Sequence, residues 1–305
     1  MGKPISLVLA SGGARGMAHI GVIEELERQN FQVSSIAGCS FGALVGGIYA
    51  TGHLKEFKEW LLDLDKGDVF RLMDFTISSQ GFIKGNKVFN ELLPFITDAR
   101  IENLPIPFAT VAVEPYRQEE IVFKSGSLLD AIRASVAIPS IIEPYEVNGV
   151  ELIDGGVLNP IPMDLLSRGN NDLLVAVNIN ATVPYIKKKK KINFEQSSQE
   201  QNSLLKKLEF NEQWERLFPK EKTNKDKYGY IALLNRSYDM MQNKITNLMI
   251  EKFKPDILVN ISREACSTFD FFKAAEVIEM GRIAFNKALA EYDRRMIEKF
   301  KNDTK

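Results

Sequence analysis

Cysteine and histidine are both scarce in this 305-residue chain, with two of each. Cys39 and Cys266 cannot build a disulfide framework, which suits a reducing, cytoplasmic setting. A net charge of −1 excludes the broad positive field of a nucleic-acid binder. No apolar run approaches the roughly 20 residues of a membrane-spanning helix. The early apolar stretch Ile5–Ala10 is too short for a signal peptide and is read as the first strand. Met1–Ser6 matches the myristoylation pattern in form, yet the same residues serve as the leader of that strand. There is no internal repeat. What remains is ordinary: 45% hydrophobic and 26% charged residues fit a globular protein of one large domain or two small ones.

The organising stretch is Gly38-Cys39-Ser40-Phe41-Gly42, which follows a short apolar strand, Val33–Ala37, and precedes a small-residue helix, Ala43–Ala50. Gly-x-Ser-x-Gly between strand and helix is the signature of a nucleophile elbow, a sharp turn that pushes a serine hydroxyl out at the end of a sheet. Gly38 and Gly42 are expected where backbone meets backbone and a Cβ would clash. Cys39 reads as a small buried apolar residue. Gly52 is the expected C-cap of the elbow helix.

Upstream, Ser6–Ala10 reads as a strand, Ser11-Gly12-Gly13-Ala14-Arg15-Gly16 as a glycine-rich turn, and Met17–Gln29 as a helix. A dinucleotide site is disfavoured because the turn lacks the full Gly-x-Gly-x-x-Gly spacing and no acidic residue closes the second strand. The other use of such a turn is to hold a developing oxyanion on backbone N–H groups. Arg15 either orients this loop, meets an anionic head group, or forms a structural ion pair.

A serine hydroxyl needs a proton acceptor. The order Ser, Asp/Glu, His of an α/β-hydrolase triad requires a histidine downstream, and both histidines lie elsewhere. A carboxylate acting directly on Ser40 is therefore expected. Asp154, placed at a strand end before Gly155 and Gly156, is the best candidate; Asp164 and Glu114 are weaker ones.

Further along, Lys55–Asp65 and Asn86–Ile96 read as helices, with Val69–Lys84 between them irregular and aromatic-rich. That segment is either a cover over an apolar cleft or a satellite core cluster. Pro107–Val113 and Glu120–Lys124 read as strands, Gly126–Ala137 as a helix halted by Pro139, and Tyr145–Ile153 as a hairpin turning at Asn148-Gly149. Leu173–Asn178 and Asp256–Ile261 are buried strands; Asn235–Phe253 and Phe272–Lys299 are closing helices. Between them, segment 187–227 opens with five lysines and carries 12 Lys plus Arg against 7 Asp plus Glu, a local charge of +5. It is either a surface for peripheral contact with an anionic membrane or a solvated insertion.

Four stretches now stand in order: Ser11–Gly16, Gly38–Gly42, Ala131-Ile132-Arg133-Ala134-Ser135-Val136-Ala137-Ile138-Pro139, and Asp154-Gly155-Gly156. Together they resemble the patatin-like phospholipase family from about Ile5 to Pro162. The resemblance implies a three-layer α/β/α fold with a central, mostly parallel sheet. It implies a Ser–Asp dyad of Ser40 and Asp154 and an oxyanion hole from the backbone of Gly12, Gly13, Ala14, Arg15 and Gly16. It implies hydrolysis of a lipid or other acyl ester without metal or cofactor. Ser11 departs from the three glycines with which the family's loop often begins. On this reading residues 5–180 are the catalytic core and 181–305 complete the same globule, with 187–227 inserted. The alternatives are an adaptor that keeps the fold without catalysis, and an acyltransferase using the same acyl-enzyme.

Overall fold

The computed structural model describes residues 2–75, 83–96, 98–169, 171–185 and 230–303. Its centre is an eight-stranded sheet in the order β5-β6-β3-β2-β1-β7-β8, with β4 also on β3. The strands are β1 (Lys3–Leu9), β2 (Phe31–Gly38), β3 (Phe108–Glu114), β4 (Glu119–Phe123), β5 (Tyr145–Val147), β6 (Val150–Asp154), β7 (Leu173–Ala181) and β8 (Ile257–Ser262). β3, β2, β1, β7 and β8 run parallel; β4 and β6 are antiparallel to β3. The central strands read as near-continuous apolar runs because helices cover both faces, and Ile5, Leu7, Val8 and Leu9 are fully buried. The arrangement is the expected three-layer α/β/α fold.

The helices are α1 (Ala18–Arg28), α2 (Phe41–Thr51), α3 (Leu54–Asp63), α4 (Lys66–Leu72), α5 (Asn86–Ile96), α6 (Leu128–Ser135), α7 (Tyr230–Phe253) and α8 (Ala274–Asp303). Local chemistry sets their ends. Gly52 takes a left-handed conformation, φ 87°, and closes α2 as its C-cap. Ser127 Oγ accepts the Asp130 N–H at the start of α6. The hairpin turn has φ 52° at Asn148 and 80° at Gly149, the two positive values a type I′ turn requires. α3 buries Phe57 and Leu61 and leaves its charged face outside.

Two expectations need correction. Val69–Leu72 is helical rather than irregular, because Asp65 and Asp68 form a reciprocal capping box that starts α4 at Lys66. Beyond it, Phe75 pairs with Ile83 in an isolated antiparallel bridge, and residues 76–82 lie outside the described residues. The stretch read as a glycine-rich turn, Ser11–Gly16, is largely a 3-10 helix, Gly13–Met17, which runs into α1, the helix expected over Met17–Gln29.

α1 and α8 pack with their backbones in contact, which periodicity could not foretell. A Cβ on Gly21 would sit 1.9 Å from the Ile278 carbonyl oxygen, and one on Gly281 would sit 2.0 Å from that of Ala18. Each helix meets the other through a glycine.

The chain divides into one unit of Met1–Pro184 with Asn235–Lys305 and another of Tyr185–Leu234. The Lys-rich segment 187–227 belongs to the second and lies outside the described residues, as does its proposed membrane contact. No helix among the described residues is long and apolar enough to cross a membrane.

Candidate active site

Ser40 stands between β2 and α2 at φ 54°, ψ −125°, a strained conformation for a residue with a side chain and the one an elbow imposes. The turn is closed by Gly42, whose Cβ would lie 2.2 Å from the Leu9 carbonyl oxygen, and by Gly38, whose Cβ would lie 2.6 Å from that of Gly42. The Ser40 N–H donates to Ser135 Oγ at 2.9 Å, and Thr110 Oγ1 braces the same hydroxyl at 3.1 Å.

β3 brings the other half. Along β3, β4 takes residues 110–114 and β6 takes 112–113, so these two occupy opposite edges. β2 takes 108–110 and must share the edge of β6. The two strands run towards each other there: Gly38 ends opposite Thr110, and Asp154 ends opposite Ala112. Residues 114 apart in sequence are thereby brought together. The end of α6 ties both members, since Ser135 receives the Ser40 N–H and the Ala137 carbonyl receives that of Asp154 at 2.9 Å.

Asp154 is 2% exposed. Its carboxylate accepts from the Gly156 N–H at 2.7 Å and the Cys39 thiol at 3.8 Å, and the Ser40 hydroxyl lies near enough to pull its pKa down. Burial pushes its pKa up from 3.8 to about 6, against the pull of those three donors. The same burial, with Asp154 beside it, raises the Cys39 thiol far above its usual range and keeps it protonated.

Each histidine has a partner outside the pair of Ser40 and Asp154. The His19 ring is fully buried with Nε2 at 2.9 Å from the Ala10 carbonyl, and His53 Nδ1 lies 3.2 Å from Thr51 Oγ1. The weaker candidates are engaged elsewhere: Asp164 accepts from Asn159 at 3.0 Å and Glu114 pairs with Arg117 at 3.4 Å. Among the described residues no group of three His, Cys, Asp or Glu side chains is placed to hold a metal ion.

The glycine-rich loop packs beside the elbow, with Gly16 against Phe41. Asn180, at the end of β7, holds both its ends: its Nδ2 donates to the Ser11 carbonyl at 2.7 Å and its Oδ1 accepts from Arg15 Nε at 3.1 Å. Arg15 also donates to the Cys266 carbonyl at 3.3 Å, so it orients the loop. The Ala14 N–H is taken by the Thr268 carbonyl at 2.9 Å. The Arg15 and Gly16 amides lie inside the 3-10 turn.

Sequence reasoning missed Thr110, Asn180, Thr268, Gln242 and Tyr238. None carries a local signal, because each is delivered by the sheet or by a helix from far along the chain. Tyr238, on α7, faces the site. Burial first and then the charge of Asp154 hold its phenol protonated far above its usual range. Ser135 lay within the quoted 131–139 stretch without an assigned role.

The fold and this turn define an α/β protein with a strained serine turn between the second strand and the second helix of its sheet core. The sequence pattern of the patatin-like phospholipase family matches residues 7–167. An uncharacterized NTE family protein of Mycobacterium tuberculosis is 31% identical over 333 residues, covering 95% of this chain and 92% of that protein. Lysophospholipase NTE1 of Cryptococcus neoformans var. neoformans is 30% identical over 184 residues, 57% of this chain and 11% of that protein. VipD from Legionella pneumophila, a solved structure, aligns over 95% of this chain and 67% of its own at 14% identity and a TM-score of 0.45. The chain belongs to the patatin-like phospholipase family, a family of lipid hydrolases.

Proposed function

We propose that the protein is a serine lipid acyl hydrolase of the phospholipase A or lysophospholipase kind, working through a Ser40–Asp154 dyad. The nearness of the Ser40 hydroxyl to a buried carboxylate whose pKa is raised, with both histidines bonded to other groups, carries this reading. Ser40 Oγ attacks the ester carbonyl carbon while its proton passes to Asp154. The N–H groups of Gly12 and Gly13, which take no partner among the described residues, receive the oxyanion. Of the five loop residues expected to serve, Ala14 has its amide engaged by Thr268.

Collapse of the tetrahedral adduct breaks the bond to the alcohol, which leaves with the proton held by Asp154. Water then attacks the acyl-enzyme, giving its proton to Asp154. The fatty acid departs as Ser40 recovers that proton. A carboxyl group near pH 6 serves as base and acid in turn better than one at its ordinary value. The named lysophospholipase relative supports a lysophospholipid as the first substrate to try.

The experiment is fluorophosphonate labelling and hydrolysis of lysophospholipids and diacyl phospholipids by the parent, Ser40→Ala and Asp154→Asn. Labelling at Ser40 and loss of turnover in both variants is expected. Hydrolysis by Ser40→Ala at the parent rate would refute the dyad.

A further inference from the structure

α7 lies outside the family match, and its sequence carries no motif. Its side chains nonetheless end on both loops that hold the chemistry. Gln242 Nε2 directs its two protons at three oxygens: the Tyr238 hydroxyl at 2.8 Å, the Gly156 carbonyl at 3.0 Å and the Ser11 hydroxyl at 3.4 Å. Ser11 opens the glycine-rich loop. Gly156 gives its own N–H to Asp154 Oδ1 at 2.7 Å. One amide therefore spans the loop facing the developing oxyanion and the turn that holds the base.

The closeness of this junction can be read at Gly156. A Cβ there would lie 2.5 Å from Gln242 Nε2 and 3.0 Å from both Asp154 Oδ1 and Ser11 Oγ. The amide, the base and the serine hydroxyl thus surround a single backbone position. The departure at Ser11 gains a physical account: its hydroxyl is an acceptor for Gln242 that a glycine would lack.

We propose that Gln242 is a positioning residue for the hydrolysis, fixing the separation between the oxyanion loop and Asp154, with Tyr238 holding the amide in place. The proposal rests on the Ser40–Asp154 reading. Its physical basis is that a base and an oxyanion site act together only when held within a few tenths of an ångström of their productive spacing. Removing the amide leaves the Gly156 carbonyl and Ser11 hydroxyl without their shared donor and lets the two loops drift. Replacing it with a carboxylate sets a second negative charge against Asp154, which favours the protonated base.

The test is steady-state hydrolysis of a p-nitrophenyl ester by the full chain across pH, for the parent, Ser40→Ala, Gln242→Leu and Gln242→Glu. Active sites are counted by fluorophosphonate titration. In Gln242→Leu, kcat per titrated site should fall on the order of tenfold while KM stays within about twofold. In Gln242→Glu, the acid limb of the pH profile should move up by roughly one unit. If Gln242→Leu loses its cooperative unfolding transition, the acid limb of Gln242→Glu decides. Parent kcat per site and parent acid limb in both variants, with Ser40→Ala inactive, would overturn this inference alone. Parent activity in Ser40→Ala would overturn the dyad instead.

Discussion

Asp154→Asn should be more stable than the parent at neutral pH, and the advantage should disappear on acidification. Asp154 is buried, and its pKa rises from 3.8 to about 6 on folding. Between these values the folded protein binds more protons than the unfolded chain, so this group's contribution to stability falls as pH rises. Below the unfolded value the contribution is level. Above the folded value the full cost of a buried charge is in place. A shift of roughly two units corresponds to about 3 kcal/mol.

Asparagine has nearly the same shape and does not ionise, so the pH-dependent part vanishes in the variant. Altered hydrogen bonds add an offset that does not vary with pH. Urea unfolding of both proteins, followed by circular dichroism from about pH 4 to about pH 7, measures the difference. The gap should open in favour of the variant by about 3 kcal/mol over that range. Other titrating groups are common to both proteins and cancel in the difference. Two stability curves that stay parallel would refute the buried, raised carboxyl and with it the argument that Asp154 is tuned as a base.

The same group predicts that kcat/KM for ester hydrolysis falls on the acid side with a midpoint near about 6, read from a pH–rate profile. His19 has the opposite sign. Burial lowers its pKa from 6.5 to about 4, so the stability it contributes is complete above 6.5 and is lost as pH falls towards 4. His19→Gln should flatten that acid loss by up to about 3 kcal/mol in urea titrations. Ser135→Ala leaves the buried Ser40 N–H without its acceptor and should cost about 1–3 kcal/mol in unfolding free energy, together with a lower kcat. Gly281→Ala forces α1 and α8 apart and should destabilise by roughly 3 kcal/mol; unfolding within about 0.5 kcal/mol of the parent would contradict the backbone contact.

What could be read in advance was local. Gly38–Gly42 announces a turn because only glycine tolerates such close approach, and Asn148-Gly149 announces a hairpin because it supplies two positive φ values. The absence of a downstream histidine pointed to a carboxylate, and the strand ends that carry Ser40 and Asp154 could be placed only by the sheet register. What could not be read depends on distant partners. Thr268 engages Ala14, Asn180 holds both ends of the loop, and Gln242 reaches Ser11 across 231 residues. No period or spacing records such meetings. The α4 cap was legible in principle: Asp65 and Asp68 stand three apart, and α3 ending at Asp63 left Asp65 free to serve it.

The end-to-end meeting of β2 and β6 makes β3 a ruler. No ladder of hydrogen bonds joins the strand of Ser40 to that of Asp154, so within the sheet the stretch from Thr110 to Ala112 measures their distance. One residue removed from that stretch would shorten the interval by about 3.3 Å and turn the side chains beyond it to the opposite face. The spacing of Ser40 and Asp154 is therefore a matter of length along a strand that carries neither of them.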